Sequence, residues 1–594
     1  MFRNLGAYLR ALKARGELLA IEEPVSAELE ITALADRAFK TGGPALLFKN
    51  VREKDFPLVI GLFGTPERTA FALGVRRLEE LAERVERLLA LAPEPGLRGM
   101  VALLPKLKEL KGLFPKRVAR APVQEVVQTG EAVDLSRLPV QKCWPKDGGP
   151  FITLPQVITK DPETGELNVG MYRMQVVGKN RTLMHWQLHK TGRRHFEKAR
   201  ALGKRLPVAV ALGGDPVLTY AATAPLPELP GISEYHLAGF LRGRPVELVR
   251  AKTVDLPVPA EAEFVLEGYV DPVEPFELEG PFGDHTGFYT PKDRFPVFHV
   301  TALTYRKHAI YPSTIVGVPP MEDAWLIEAS ERLFLPPAKT VLPELADYHM
   351  PPEGVAHNWV NLSIRKRYPG QAFKVAYGLL GLGQMALAKM LVVVDADVPV
   401  KPGFAAFLQA VARLDPGRHV VFLKGPLDEL DHAPPVATYG GKLILDGTRK
   451  LPAEGAVPEP PTPGPVRHPE LRRQAAWPGV LALTLNKQRP GQVRSLAREV
   501  LAAPAAHGTR VLLVTEDRID PREPEPLMWL LLANLDPARD AWLEETAWGS
   551  VLVLDGTPKL PEEGARPWPE VAELPPSVWG RVETLMKKYR IGDG

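Results

Sequence analysis

The 594-residue chain holds a single cysteine, Cys143. No internal disulfide can form and no cysteine-rich zinc site can exist. A reducing compartment, the cytoplasm, is therefore the expected setting. Long apolar runs are also lacking. Stretches such as residues 527–533 fall far short of the ~18 residues that a bilayer-spanning helix needs. Neither sign of charge is in excess, since 74 Lys+Arg against 71 Asp+Glu leave +3. That balance gives no electrostatic footprint for nucleic acid. Nor does an apolar signal core open the chain, because Arg3, Arg10, Lys13 and Arg15 are spread through its start.

What is present fits a globular protein of several domains. Hydrophobic residues make up 45% and charged residues 24%, which excludes a disordered chain. At about 100–200 residues per domain, the length predicts roughly three to five units. The first ~115 residues alternate helix and strand signals. Residues 45–50 and 57–62 read as strands, and 76–91 as a charged amphipathic helix stopped by Pro93. From about 121 to 320, β-branched runs are broken by turn signals. Residues 152–159, 167–177 and 182–188 read as successive hairpins, joined by 296–305 and 310–316. A mostly antiparallel sheet or barrel is expected there. Beyond about 324, helix and strand alternate again, and residues 390–394 read as a buried parallel strand.

The last region contains an internal repeat. K-R-Y-P-G-Q at 366–371 recurs as K-Q-R-P-G-Q at 487–492. V-V-V-D-A-D at 392–397 faces L-L-V-T-E-D at 512–517, and L-D-P-G-R at 414–418 faces L-D-P-A-R at 535–539. L-D-G-T-R-K-L-P at 445–452 faces L-D-G-T-P-K-L-P at 554–561. The offset holds at 120–121 residues and then falls to 109. Two copies of one α/β unit are expected, over ~359–460 and ~480–569, with the proline-rich 458–469 as a stiff spacer. The tail presents Val578, Val582, Leu585, Met586 and Tyr589 at helical spacing after Ser577, a candidate N-cap. That stripe would pack either on its own domain or on a second subunit.

Four clusters in the middle block could carry chemistry. N-V-G-M-Y-R at 168–173 places an amide and a guanidinium on opposite faces of a regular strand, unless a bulge at Gly170 brings them together. M-H-W-Q-L-H at 184–189 puts His185 and His189 four apart on one face of a helix or strand; Trp186 stands where a zincin needs glutamate. Glu234 follows Ser233 at the head of a helical segment, where an acid is favourable in any protein. E-G-P-F-G-D-H-T-G at 279–287 holds two carboxylates five apart in a glycine-rich loop. If both face one cavity, repulsion would raise one pKa and make that group a proton donor; otherwise the segment is an ordinary turn with solvated acids. G-L-L-G-L-G at 378–383 resembles a nucleotide loop, but it precedes its strand, whereas a dinucleotide fingerprint follows one.

Together, N-V-G-M-Y-R at 168–173, S-E-Y at 233–235, R-G at 242–243, L-E-G-Y at 266–269 and E-G-P-F-G-D-H-T-G at 279–287 resemble the UbiD family of non-oxidative, reversible decarboxylases that use prenylated FMN. The resemblance covers residues 1–455, and no catalytic motif lies in the second repeat copy. With the internal repeat and the apolar stripe of the tail, it implies an α/β plus β architecture: an N-terminal α/β domain (1–118), a central split β-barrel similar to flavin reductases with the cofactor and metal site (119–322), a C-terminal α/β domain with the first repeat copy (323–460), the second copy (461–570) and a terminal helix (571–594) available for a subunit contact. It implies Arg173, Glu279 and Asp284 as the catalytic triad. Asn168, His189 and Glu234 would hold Mn²⁺ on the cofactor phosphate, often beside K⁺, a donor set suited to such an ion. Met171, Tyr172, Arg173, His185, Trp186 and Gln187 would line the flavin, and Lys389 would meet its phosphate. Glu279 would hold Arg173, and Asp284, with a pKa raised by burial, would deliver the proton that replaces CO₂. An aspartate at the last place is like the quinone-pathway members. The resemblance further implies a small hydroxyaromatic acid as substrate, a flavin prenyltransferase as cofactor supplier, a homodimer or homohexamer, and peripheral membrane contact if the substrate is prenylated. A catabolic phenolic-acid decarboxylase or carboxylase, and a non-catalytic subunit, are the alternative readings.

Overall fold

The computed structural model describes residues 1–90, 112–227 and 229–592. The chain divides into two compact units, residues 1–330 with 571–594, and residues 331–570.

The first unit begins with a helix, Leu5–Ala14, capped by the Asn4 side chain, which accepts from Ala7 N–H at 3.0 Å. Strands Leu18–Ile21, Ala45–Phe48 and Leu58–Ile60 form a small sheet. A fourth strand, Tyr311–Ser313, joins it in parallel with Leu58–Ile60. The sequence reading assigned that strand to the middle block, because the partner lies some 250 residues away and no local signal reveals it. The charged helix spans Glu79–Leu89, and its expected stop at Pro93 lies outside the described residues.

The middle block forms a nine-stranded, largely antiparallel sheet. In spatial order its strands are Phe151–Ile152, Met174–Gly178, Arg181–Met184, Val297–Tyr305, Phe264–Val270, Leu206–Leu212, Gln156–Lys160 and Leu167–Gly170, with Val126–Thr129 added alongside Val297–Tyr305. The long strand expected over 167–177 is interrupted. It ends at Gly170 and resumes at Met174, leaving Met171, Tyr172 and Arg173 off the ladder. The strand expected over 182–188 stops at Met184, and a helix not expected from the sequence, Thr191–Ala201, follows. Each break falls on a segment that carries candidate site residues.

The terminal helix, Trp579–Tyr589, packs on Glu30–Lys40 of the same unit and buries Val582 and Leu585. Tyr589 Oη accepts from Glu22 N–H at 3.1 Å, and Lys588 pairs with Glu23. Its stripe is therefore covered by its own chain. Ser577 does not cap it, since a short 3₁₀ turn, Pro576–Val578, leads in.

The second unit holds two five-stranded sheets of identical topology. One runs Leu345–His349, Trp359–Ile364, Met390–Asp395, Tyr439–Asp446, Val420–Pro426 in space, the other Leu471–Trp477, Val480–Leu485, Val511–Glu516, Gly549–Gly556, Ala541–Thr546. In each, the outer pairs are antiparallel and the two inner pairs parallel. Val392 and Leu445 of the first sheet share a core with Ala482, Leu513 and Leu554 of the second. The repeated L-D-G-T-x-K motif closes each copy in the same way. Lys366 pairs with Glu454 at 2.7 Å and Lys450 with Asp446 at 3.4 Å; Lys487 pairs with Glu563 at 2.6 Å and Lys559 with Asp555 at 3.3 Å. All four lysines are buried to within 3%. The glycine-rich 378–383 stretch spans the end of the helix Gln371–Leu379 and leads toward the strand Met390–Asp395, a packing role rather than a phosphate cradle.

Candidate active site

Arg173 sits on the interrupted segment between two strands, which frees its side chain from the alternation of the sheet. Its guanidinium grips Glu279 in parallel, Nε to Oε1 at 3.2 Å and Nη2 to Oε2 at 3.0 Å. Nη1 donates to Asp284 Oδ2. The plane lies over the Phe282 ring, 4.5 Å from its centroid. The side chains are 10%, 1% and 7% exposed for Arg173, Glu279 and Asp284. A guanidinium carries five N–H donors. Three are used here, and its fork is the geometry that suits a substrate carboxylate.

The loop carrying both acids is fixed from three sides. Gly280 N–H donates to Gln175 Oε1 at 2.8 Å. Gly283 N–H donates to Asp147 Oδ1 at 2.8 Å, and Trp144 N–H to Asp147 Oδ2 at 2.8 Å. Gly148 N–H meets Pro281 O at 2.8 Å, and a Cβ on Gly148 would lie 2.1 Å from Gly280 O. Only glycine allows that approach. Asp147, Gln175 and Thr290 escaped the sequence reading; the G-G pair following Asp147 was the one local signal of a close backbone contact.

The electrostatics depart from expectation. Burial works to raise the Glu279 pKa, but Arg173 and His185 outweigh it and hold the carboxyl at about 2. Burial works the same way on Asp284, and Arg173 with His285 and Thr290 holds it far below the carboxylate range. Mutual repulsion does not raise either acid, because Arg173 stands between them. Asp284 is thus an ionised partner of Arg173 in the arrangement described. Burial does push Asp147 up to about 7, against two backbone N–H donors.

His185 and His189 do not share a face. His185 is buried with Nδ1 3.0 Å from Glu279 Oε2, whereas His189 is exposed on the turn before Thr191–Ala201. Two buried nitrogens in this segment, His185 Nε2 and Trp186 Nε1, have no hydrogen-bond partner. Such atoms cost free energy unless a ligand satisfies them, so this wall fits a polar planar cofactor. Trp186 packs on Phe196, and Gly192 is pressed against its indole. Tyr172 is buried, with its hydroxyl taking a hydrogen from Asn168 Nδ2 at 3.3 Å. Met171 and Gln187 are partly exposed on the same two interruptions.

Asn168 and Glu234 come together, since Val169 N–H, next to Asn168, donates to Glu234 Oε2 at 2.7 Å. Burial pushes Glu234 up to about 7. His189 lies on the adjoining turn, and no cluster of three His, Cys, Asp or Glu suited to a metal occurs among the described residues. The amide and carboxylate therefore fit a hard cation, and the imidazole is not gathered with them. Lys389 has another occupation: fully buried in the second unit, it pairs with Asp431 at 2.7 Å and donates to Leu532 O at 2.8 Å. That arrangement is structural and leaves no ammonium for a phosphate.

Family comparisons agree with this site. The N-terminal, Rift-related and C-terminal domain models of 3-octaprenyl-4-hydroxybenzoate carboxy-lyase match residues 9–88, 116–319, and 324–447 with 472–562. These are the parts of a carboxy-lyase, in chain order. The chain belongs to the UbiD family, and it is a decarboxylase. An uncharacterized protein of Aquifex aeolicus (strain VF5) is 50% identical over 77% of this chain and 94% of its own. One of Archaeoglobus fulgidus is 48% identical over 76% and 93%. Among solved structures, vanillic acid decarboxylase of Sedimentibacter hydroxybenzoicus in its closed form superposes with a TM-score of 0.68 at 25% identity, covering 84% of this chain and 98% of that one. The UbiD-class enzyme HmfF of Pelotomaculum thermopropionicum, in complex with FMN, gives 0.64 at 30% identity over 75% and 94%.

Proposed function

We propose that this protein decarboxylates a hydroxyaromatic acid with prenylated FMN held through Mn²⁺, in a step of quinone biosynthesis. The observation that carries the reading is the fork of Arg173 on Glu279 beside Asp284. Loss of CO₂ from an aromatic ring leaves a carbanion that no side chain stabilises, and the bound cofactor supplies the electron sink. The residues of this chain do the rest. Arg173 grips the substrate carboxylate with its remaining N–H groups and orients the ring. Glu279 and Phe282 fix the guanidinium. Asp284 gives a proton to the ring carbon from which the carboxylate leaves as CO₂. His185, Trp186, Met171, Tyr172 and Gln187 form the cofactor wall, and Asn168 with Glu234 would take the cation.

The quinone reading is supported by the match to a 3-octaprenyl-4-hydroxybenzoate carboxy-lyase family and by aspartate at position 284. The catabolic reading draws on vanillic acid decarboxylase, which shares the fold over nearly its whole length. The test is expression beside a flavin prenyltransferase with Mn²⁺ supplied, followed by absorbance, intact cofactor mass, and CO₂ release from vanillate, 3,4-dihydroxybenzoate, 4-hydroxybenzoate, its 3-prenyl derivative and 1,4-dihydroxy-2-naphthoate. Prenylated flavin lost in Asn168→Ala and Glu234→Ala is the expected result. Fastest turnover of the prenylated or naphthoic acid supports the quinone reading. Fastest turnover of vanillate replaces it with the catabolic one.

A further inference from the structure

Decarboxylation of an aromatic carboxylate consumes one proton per turnover: the C–CO₂ bond breaks, a C–H bond forms, and the proton comes from solvent. Asp284, the donor in the reading above, cannot draw that proton unaided. Its carboxylate is 7% exposed and has four hydrogen-bond partners. Oδ2 accepts from Arg173 Nη1 and from Thr290 Oγ1 at 2.7 Å. Oδ1 accepts from His285 N–H at 2.8 Å and lies 3.1 Å from His285 Nδ1.

For Asp284 to carry a proton, one neighbour must stop donating and accept instead. Arg173 and the backbone N–H of His285 are donors only. The Thr290 hydroxyl can reverse, but near neutral pH it neither stores an extra proton nor gives one up. His285 can do both. A neutral imidazole presents a bare nitrogen where an imidazolium presents a donor. Its side chain is 21% exposed, three times the exposure of Asp284. The carboxyl of Asp323, at the head of the helix Glu322–Val341, lies within electrostatic range of both His285 and Asp284, and burial raises its pKa.

We infer that His285 is the proton relay that recharges Asp284 from solvent after each turnover. The imidazolium passes its Nδ1 proton to Asp284 Oδ1, becomes neutral, and regains a proton from water. Asp284 then holds the proton that the ring carbon takes, and returns to a carboxylate. No oxidant or reductant is involved. The relay rests on Asp284 as proton donor, so its test must separate the two ideas.

The experiment compares His285→Gln, His285→Ala and Asp284→Asn holoenzymes on the panel acid that the parent decarboxylates fastest, with thermal melts as the folding check. His285→Gln can still donate to Asp284 but cannot relay a proton. Both His285 variants are expected to lose about 10²-fold in kcat with KM within about threefold of the parent. Added imidazole is expected to restore His285→Ala at least tenfold and to leave Asp284→Asn inactive. Parental turnover by His285→Gln alone overturns the relay and leaves Asp284 as donor. Parental turnover by Asp284→Asn overturns the donor, and the relay with it. Loss in both His285 variants without rescue by imidazole overturns the relay in favour of a structural role.

Discussion

Glu279 receives Arg173 on both of its oxygens, 3.2 Å from Nε and 3.0 Å from Nη2, in a pocket where the acid is 1% exposed. The parallel fork fixes the guanidinium plane, and with it the direction in which a substrate carboxylate is held. Arg173→Lys keeps the charge and loses the fork. Turnover is expected to fall at least 10²-fold, with flavin content unchanged. Retention of more than a tenth of the parental kcat/KM would show that positive charge alone suffices.

The same pair makes stability pH-dependent. Burial raises Glu279, but Arg173 and His185 bring it down to about 2 in the fold, below its ordinary value of 4.5. A carboxyl depressed in the folded state adds stability above its unfolded pKa, and that stability is lost as pH falls through the folded value. Asp284 acts in the same direction. The urea midpoint of the parent should therefore drop between pH 4.5 and 2. Glu279→Gln should show a shallower drop over that window, although it begins from a lower midpoint at pH 7.

Much of this site could be read from the sequence, and what could not has physical causes. Arg173, Glu279 and Asp284 lie far apart in the chain, yet their motifs stood out because glycine and proline beside charge mark rigid loops. The pKa of Asp284 could not be read, since its sign depends on where the Arg173 side chain goes. A continuous strand over 167–177 was the natural reading of alternating residues, and the interruption at 171–173 follows from long-range contacts: Met171 N–H donates to Ala222 O, and His185 N–H to Arg173 O. The helix Thr191–Ala201 was missed because its mean character is strongly polar, with Arg193, Arg194, Lys198 and Arg200 on a short run. The duplication was legible because buried charge tolerates little change. Lys366 and Lys487 pair with Glu454 and Glu563, and Thr448 and Thr557 donate to Asp446 and Asp555, in the two copies.

Lys389 offers a test between a cofactor contact and a structural one. It pairs with Asp431 in a fully buried setting. Removing one partner of such a pair costs about 3–5 kcal/mol, whereas replacing both with apolar residues is often neutral. Lys389→Met is expected to lower stability by that amount, and Lys389→Met with Asp431→Leu to recover most of it. Flavin bound per folded chain should match the parent in the double variant. A loss of flavin there would return Lys389 to the cofactor.

The tail helix gives a prediction about assembly. Val582 and Leu585 are buried in one core with Ile31, Leu34 and Ala35 of the same unit, and Tyr589 and Lys588 close on Glu22 and Glu23. Leu585→Ala should cost about 2–4 kcal/mol, as for a buried leucine that leaves a cavity. The mass in solution, measured by light scattering, should not change. If the helix served a subunit contact, the variant would instead dissociate at constant monomer stability.

The twin ion clusters predict a symmetry that sequence comparison cannot test. Asp446 is buried between Lys366 at 3.6 Å and Lys450 at 3.4 Å, and its counterpart Asp555 between Lys487 at 3.9 Å and Lys559 at 3.3 Å. Burial raises each acid, and the lysines more than reverse that, so both are held below the ordinary range. Each acid also takes hydrogens from the threonine two residues on, through backbone N–H at 3.0 Å in one copy and 2.9 Å in the other. Removing Asp446 leaves the buried Lys450 without its carboxylate, and removing Asp555 leaves Lys559 with Asp540 alone at 3.7 Å, so Asp446→Ala and Asp555→Ala should each cost about 3–5 kcal/mol. The two costs should agree within about 1 kcal/mol and add in the double variant, because the clusters share no partner. Flavin content per folded chain should be untouched by Asp555→Ala, since the second copy carries no catalytic motif. A cost confined to one copy would mean that the other keeps its charges for a ligand, because a purely structural cluster has no reason to be silent.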